Sequence, residues 1–318
     1  MAYGAPETES DVEPYLAHIR QGRKAAPSEV EALKARYRQI GGRSPLFDIT
    51  KSQANALEKE LNSGTIRVRT YVGMKHWHPY IAEVVPEILN DGFNNIKGLV
   101  LTPYYSAATV GDYKRILANA VQLTPHKVEL DFVENWYDHP LFHRAIAASV
   151  KKALSQFDSS QKIRLVYTAH SLPKRTMDRN DPYLAQLRCT CQAVSEILNI
   201  SDWLFAFQSA GNGEEWLGPD INEILQALSR SSPGAGVLIV PIGFVSDNLE
   251  TLYDIDIEAQ AVSKSLGLNL KRTPCLNSDR LLIQALADVI RKRTATLSQS
   301  GSELHDTTRN LEDSVKVD

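Results

Sequence analysis

The patterning of this 318-residue chain predicts an α/β protein built from two doubly wound halves. Three observations carry that prediction. Short apolar runs rich in Val, Ile and Tyr alternate with longer amphipathic stretches from about residue 65 onward. Several runs are almost continuously apolar, as in Val237-Leu-Ile-Val-Pro-Ile242, which suits parallel strands covered on both faces. The length is about twice that of one ordinary domain. Repeated βα units with short connections then make each half Rossmann-like, a parallel sheet flanked by helices.

Taken in chain order, the first sixty or so residues set basic and hydroxyl groups among apolar ones: His18, Arg20, Arg23 and Lys24, then Arg36-Tyr37, then Arg43-Ser44. A guanidinium fork suits ligand carboxylates, and surface arginines on helices are equally ordinary. Strands are predicted at Ile66–Gly73, Lys97–Thr102, Lys127–Val133, Ile163–Thr168, Trp203–Gln208 and Gly236–Ile242. Helices are predicted at Pro79–Asn90, Val110–Gln122, Pro140–Gln156, Asp181–Leu198, Pro219–Ser229, Asp247–Gly267 and Asp279–Arg293. The polar stretch Ser155–Gln161 divides an N-terminal domain, residues 1–155, from a C-terminal domain, residues 156–297. Residues 298–318 are polar and lack periodicity, and are expected to be a disordered tail.

Composition removes several function classes. A formal charge of −3 gives no electrostatic reason to expect nucleic acid or an anionic membrane as partner. The longest apolar stretch, Val237 to Val245, is interrupted by Pro241 and Gly243 and is far short of the roughly 18 residues of a membrane span. The opening Met1-Ala2-Tyr3-Gly4-Ala5-Pro6 carries no signal-peptide pattern, so a cytoplasmic location is expected. Three cysteines, Cys189, Cys191 and Cys275, make an odd count typical of a reducing compartment. An iron–sulfur cluster normally takes four thiolates, so none is expected.

In open parallel sheets the ligand crevice lies beyond the carboxyl ends of the strands. After the strand at Ile163–Thr168 comes Ala169-His170-Ser171-Leu172-Pro173. There His170 can take a proton or ligate a metal, although a loop histidine bonded to backbone fits the position too. No G-x-S-x-G elbow surrounds Ser171. After the strand at Gly236–Ile242, Asp247, Glu250, Asp254 and Glu258 fall at offsets of three, four and four, one face of a helix. Such like charges repel slightly, a cost that cations meeting the face would offset. Carboxylates with imidazole suit borderline divalent ions such as Fe²⁺, and a solvated acidic face is the simpler alternative. The stretch from Gln208 to Pro219 has neither G-x-G-x-x-G nor a P-loop lysine, and Trp216 there can form a wall for a flat ligand.

Together these blocks resemble the ferrochelatase family from Met1 to about Lys292. The resemblance is carried by Ala169–Pro173, Asp181-Pro182-Tyr183, Gln208-Ser209, Trp216-Leu217-Gly218-Pro219 and the block Pro241 to Glu258. It implies two Rossmann-like domains with a porphyrin between them, ferrous iron as the second substrate and no organic cofactor. By resemblance His170 and Glu250 are the facing catalytic and metal-binding pair, and Asp254 and Glu258 continue an acidic ladder for metal entry or proton exit. The resemblance also puts Tyr3 near the opposite face of the ring. Arg20, Arg36, Tyr37, Ser44 and Tyr113 match positions contacting the porphyrin or its carboxylates, with Lys75 and His76 at the cleft rim. The Met-Ala-Tyr-Gly opening and the short Trp77–Tyr80 region resemble the soluble branch that metallates coproporphyrin III. The branch that uses protoporphyrin IX usually has methionine in place of Tyr3. A monomer with transient contacts to neighbouring haem-pathway enzymes is expected. Rival readings are a protoporphyrin IX enzyme, a related chelatase for cobalt or nickel, and a haem or metal carrier. Two departures stand out. Asn248 occupies a position where the family commonly has histidine, and the family's short apolar strand before the Met-Ala-Tyr-Gly motif is missing, which implies a truncated or mis-started sequence.

Overall fold

A computed structural model of the chain describes residues 1–63, 67–211 and 214–294. The expected tail 298–318 and Ile66 lie outside them. Three helices come first: α1 (Val12–Ile19), α2 (Pro27–Gln39) and α3 (Leu46–Leu61). Proline opens α2 at a position where its missing N–H costs nothing, and the Glu29 carboxylate accepts the Ala26 N–H at 2.8 Å. Then follow α4 (Ile81–Asn90), β1 (Asn95–Leu99), α5 (Val110–Gln122), β2 (Glu129–Val133) and α6 (Pro140–Leu154), with β1 and β2 paired in parallel.

The second half holds β3 (Ile163–His170), α7 (Tyr183–Leu198), β4 (Trp203–Gln208), α8 (Ile221–Ser231) and β5 (Gly236–Val240). A π-helix, Thr251–Ala259, runs directly into α9 (Gln260–Ser265), followed by β6 (Asn269–Arg272) and α10, residues 280–294. The strand order is β4-β3-β5-β6, all parallel. Side chains alternate across β3, so Leu165, Tyr167 and Ala169 meet α6 and α7, whereas Val166 meets α8 and the π-helix. Both faces are therefore covered, which is why β5 reads as an unbroken apolar run. Every residue of β5 is buried, and the strand stops before Pro241, which has no N–H for the ladder. Edge strand β6, Asn-Leu-Lys-Arg, is too short and polar to stand out in the sequence.

Helix α10 packs back on the first half, where Arg291 donates to the Glu60 carbonyl at 2.6 Å and Arg293 to that of Phe132 at 3.3 Å. Among the described residues, no helix is long and apolar enough to cross a membrane.

Two expectations need correction. The predicted strand Ile66–Gly73 is not one: residues 67–73 join no sheet, and only Met74 forms isolated bridges, to Ala2 and Tyr80. Its neighbour is the short segment Met1–Tyr3. That segment lies between the two halves of a would-be ladder, with Lys75 N–H donating to Ala2 O at 2.9 Å and Leu101 N–H to Met1 O at 2.9 Å. Upstream of it, between residues 67–73 and β1, is a cavity of about 660 Å³ lined by Leu57, Val72, Ile96, Leu117 and Leu286. In the chain that begins at Met1, the buried ammonium donates to Leu99 O at 2.7 Å, and burial pushes its pKa down to about 5.

The second correction concerns the predicted helix Asp247–Gly267, whose first residues stay outside the helical run. Asn248 and Thr251 exchange reciprocal bonds of 3.0 Å, each backbone N–H meeting the other's side-chain oxygen, which caps the π-helix. Asp247 instead binds Arg272 at 2.9 Å and accepts from the Asn277 amide at 2.7 Å, so it is not a rung of the acidic ladder.

The connection after β5 is held against the carboxyl end of β3 by Gly243, whose N–H donates to Thr168 O at 3.1 Å. A Cβ there would lie 2.7 Å from the Ala169 Cα. Gly243→Ala is therefore expected to lower stability by about 1–3 kcal/mol, read as a shifted urea midpoint at unchanged slope.

Candidate active site

Strand β3 carries His170 to its carboxyl end. The ring Nδ1–H donates to Ser171 O, and the Tyr183 hydroxyl donates to His170 O at 2.9 Å. That tautomer leaves a free lone pair on Nε2. Glu250, one residue before the π-helix, sets its Oε2 3.7 Å from that nitrogen. The gap is too long for a hydrogen bond, yet it fits two ligands of one divalent ion, each about 2.0–2.2 Å from the metal. Both side chains are about one-third exposed, at 36% and 31%.

A π-helix takes one more residue to close each hydrogen-bonded turn than an α-helix, so side chains four apart stack nearly in line. Glu250, Asp254 and Glu258 gain that alignment. Between the first two stands Ser209, whose hydroxyl reaches Glu250 Oε2 at 3.1 Å and also contacts Asp254. Ser209 has φ 61°, the left-handed region a non-glycine residue seldom adopts. Ser209 belongs to the Gln208-Ser209 block that carries the family resemblance, but the sequence alone assigned it no role in the site. Gln208 steadies the same corner, accepting from Thr168 Oγ1 at 3.1 Å and donating to Glu250 O at 3.4 Å. Burial raises the Asp254 carboxyl to about 6, with Glu250 and Glu258 pushing the same way and the Ser209 bond and Arg36 opposing.

These groups face a cleft of about 950 Å³. Its other wall comes from the first half: Tyr3, Arg20, Arg36, Tyr37, Ser44, Lys75 and Tyr113. Trp216 closes one end, its ring 6.4 Å from that of His170, centroid to centroid. Burial, and then the Glu250 charge, push the Tyr3 phenol up to about 12. His76 is not part of the lining; it packs against Tyr3 with ring centroids 4.5 Å apart and the rings tilted by 53°, and its Nδ1 is 3.2 Å from that of His18. Burial, then Lys75 and His18, lower His76 to about 3, so it is neutral.

The ferrochelatase family model matches residues 1–294. The chain belongs to the ferrochelatase family. It is 40% identical over 294 residues to a ferrochelatase of Herpetosiphon aurantiacus, covering 91% of this chain and 96% of that one. It is 37% identical to a coproporphyrin III ferrochelatase of Oceanobacillus iheyensis (92% and 95% covered) and 38% identical to one of Geobacillus kaustophilus (93% and 95%). In fold it resembles the chelatase SirB of Bacillus subtilis, solved with Fe³⁺, with a TM-score of 0.58 and 14% identity over 78% of this chain and 90% of that one. The protein is thus a metal-inserting lyase of haem biosynthesis.

Within this ferrochelatase site, the cations expected to meet ring carboxylates already have acidic partners. Arg20 makes a two-point pair with Glu29 at 2.9 and 2.7 Å, and Lys75 lies 3.2 Å from Asp112 and 5.4 Å above the Tyr113 ring. Arg36 pairs with Asp254. Ser44 accepts the Leu46 N–H at 3.3 Å at the start of α3. Among the described residues, no group of three or more His, Cys, Asp or Glu side chains is arranged to hold a metal ion. The cysteines stand apart from the cleft: Cys189 is exposed, while burial raises the thiols of Cys191 and Cys275.

Proposed function

We propose that this ferrochelatase inserts Fe²⁺ into coproporphyrin III with release of two pyrrole protons, without an organic cofactor. The observation that carries the reading is the open 3.7 Å gap between His170 Nε2 and Glu250 Oε2 on a cleft large enough for a tetrapyrrole. A planar porphyrin hides its nitrogen lone pairs behind N–H groups. A cleft that favours a bent ring lowers the barrier by matching the shape the reaction must pass through. With Nδ1–H held by Ser171 O, the Nε2 lone pair accepts a pyrrole proton, and Glu250 and Asp254 continue the route outward. The ferrous ion is a substrate, and His170, Glu250, Asp254 and Glu258 are the groups that hand it toward the ring.

The ring itself is assigned to the coproporphyrin branch because relatives sharing 37–38% identity bear that name and because Tyr3 faces the cleft. Four ring carboxylates call for more cations and hydroxyl donors along the ring edge than two do, and Arg20, Arg36, Ser44 and Lys75 line the cleft to supply them. The enzyme should therefore favour coproporphyrin III over protoporphyrin IX by about tenfold in kcat/KM. The prior pairing of Arg20 with Glu29 and Lys75 with Asp112 favours the alternative, a ring with fewer carboxylates. Anaerobic Fe²⁺ insertion into each porphyrin at matched concentration, in detergent that keeps both monomeric, separates the two. Equal efficiency, or a preference for protoporphyrin, would overturn the coproporphyrin assignment.

A further inference from the structure

Arg36 places a cation directly against the acidic ladder. Its guanidinium pairs with Asp254, lies 3.9 Å from Glu258 Oε2 and rests 4.3 Å above the Tyr253 ring. All three partners belong to the π-helix, whereas Arg36 comes from the last turn of α2 in the other half. Asp254 is only 9% exposed, so the ion pair is shielded on one side, and the guanidinium, 35% exposed, opens on the other to the cleft. One cation therefore serves two sets of anions: the ladder, and whatever carboxylates enter the cleft.

We propose that Arg36 gates the ladder, occupying its cation position when the cleft holds no porphyrin and moving to a ring carboxylate when one binds. While the guanidinium sits between Asp254 and Glu258, a divalent ion approaching Glu250 meets a positive charge and finds two of three carboxylates engaged. A carboxylate on the ring competes for the same fork with matching two-point geometry. Once Arg36 follows it, the ladder regains its full negative charge. Metal and porphyrin thus favour each other's binding through one residue, and linkage makes the effect reciprocal. The porphyrin half of this proposal rests on the ring assignment proposed above, and the metal half rests only on the ladder's proposed role as a path for the ion.

The metal half is tested by titrating Co²⁺ alone, in calorimetry without porphyrin, into wild type, Arg36→Ala and Arg36→Lys. Arg36→Ala should bind Co²⁺ about fivefold or more tightly than wild type, and Arg36→Lys, which keeps the charge, should stay near wild type. Equal or weaker Co²⁺ binding by Arg36→Ala, with its melting temperature within a few degrees of wild type, overturns the gate. For the porphyrin half, fluorescence quenching compares coproporphyrin with its tetramethyl ester. The alanine variant should lose affinity for the free acid several-fold and none for the ester. Unchanged affinity for the free acid would mean that Arg36 does not move to the ring. Failure of wild type to bind either porphyrin would sink the proposed function and leave the Co²⁺ comparison standing as the test of the gate.

Discussion

Iron insertion is expected to fall by about a thousandfold or more in either His170→Ala or Glu250→Gln, with porphyrin binding retained. The reason is that the two groups face one position. His170 offers only Nε2, since Nδ1 is committed to Ser171 O, and the opposing Glu250 oxygen is 3.7 Å away. Neither group alone provides both a proton acceptor and a second ligand for the incoming ion. Residues acting as such a unit give strongly non-additive losses, so the double substitution should be little worse than the poorer single one. Anaerobic turnover followed by absorbance, with porphyrin affinity measured separately by fluorescence, checks both parts. A further hundredfold loss in the double variant would show two independent contributions.

Stability of the chain that begins at Met1 is expected to rise between pH 5 and pH 8, by up to about 4 kcal/mol, given 1.36 kcal/mol per pH unit of displacement. The folded ammonium has its pKa pushed from the ordinary 8.0 to about 5 by burial. Between those values the unfolded chain holds a proton that the folded chain lacks, so raising the pH favours folding. Above pH 8 the penalty is gone, and below pH 5 it is complete. Asp254 acts in the opposite sense: its carboxyl, raised from 3.8 to about 6, keeps a proton in the folded state, so its contribution falls as pH rises through that window. The two oppose each other between pH 5 and 6, and the rise is cleanest from pH 6 to 8. Urea unfolding of free and N-acetylated protein at pH 6, 7 and 8 tests the assignment. If the acetylated chain shows the same slope, the ammonium is not its source.

A strand candidate from the sequence holds only where a neighbour exists to complete it. Trp203–Gln208 forms as predicted, and the predicted Gly236–Ile242 forms over Gly236–Val240, because each is a short apolar run paired along its length with β3. Residues 67–73 carry an equally strand-like pattern, yet among the described residues they pair with no strand. The helix Val110–Gln122 matches its expected bounds because its apolar spacing and its packing against α4 agree.

The same division runs through the site. Positions just after parallel strands pointed to His170 and, through the segment after β5, to Glu250, Asp254 and Glu258, because strand ends and side-chain spacing are local properties of the chain. Asp247 shares that spacing but was lost to Arg272 and Asn277, partners that only folding brings near. The π-helical register follows from the Asn248–Thr251 cap and the packing of Ile255 and Ala259 against the sheet, neither of which a periodicity of 3.6 reveals. Arg36 reads as a hand for ligand carboxylates, and folding also brings it to Asp254, 218 residues away in sequence. Composition and periodicity determined the α/β class, most of the strands and the strand-end candidates His170, Glu250, Asp254 and Glu258, since each depends on near neighbours, whereas the first-half residues of the cleft came from the family resemblance. Which carboxylates stack, which cations are already taken and where Ser209 points were decided by contacts between distant segments, whose energies no local pattern encodes.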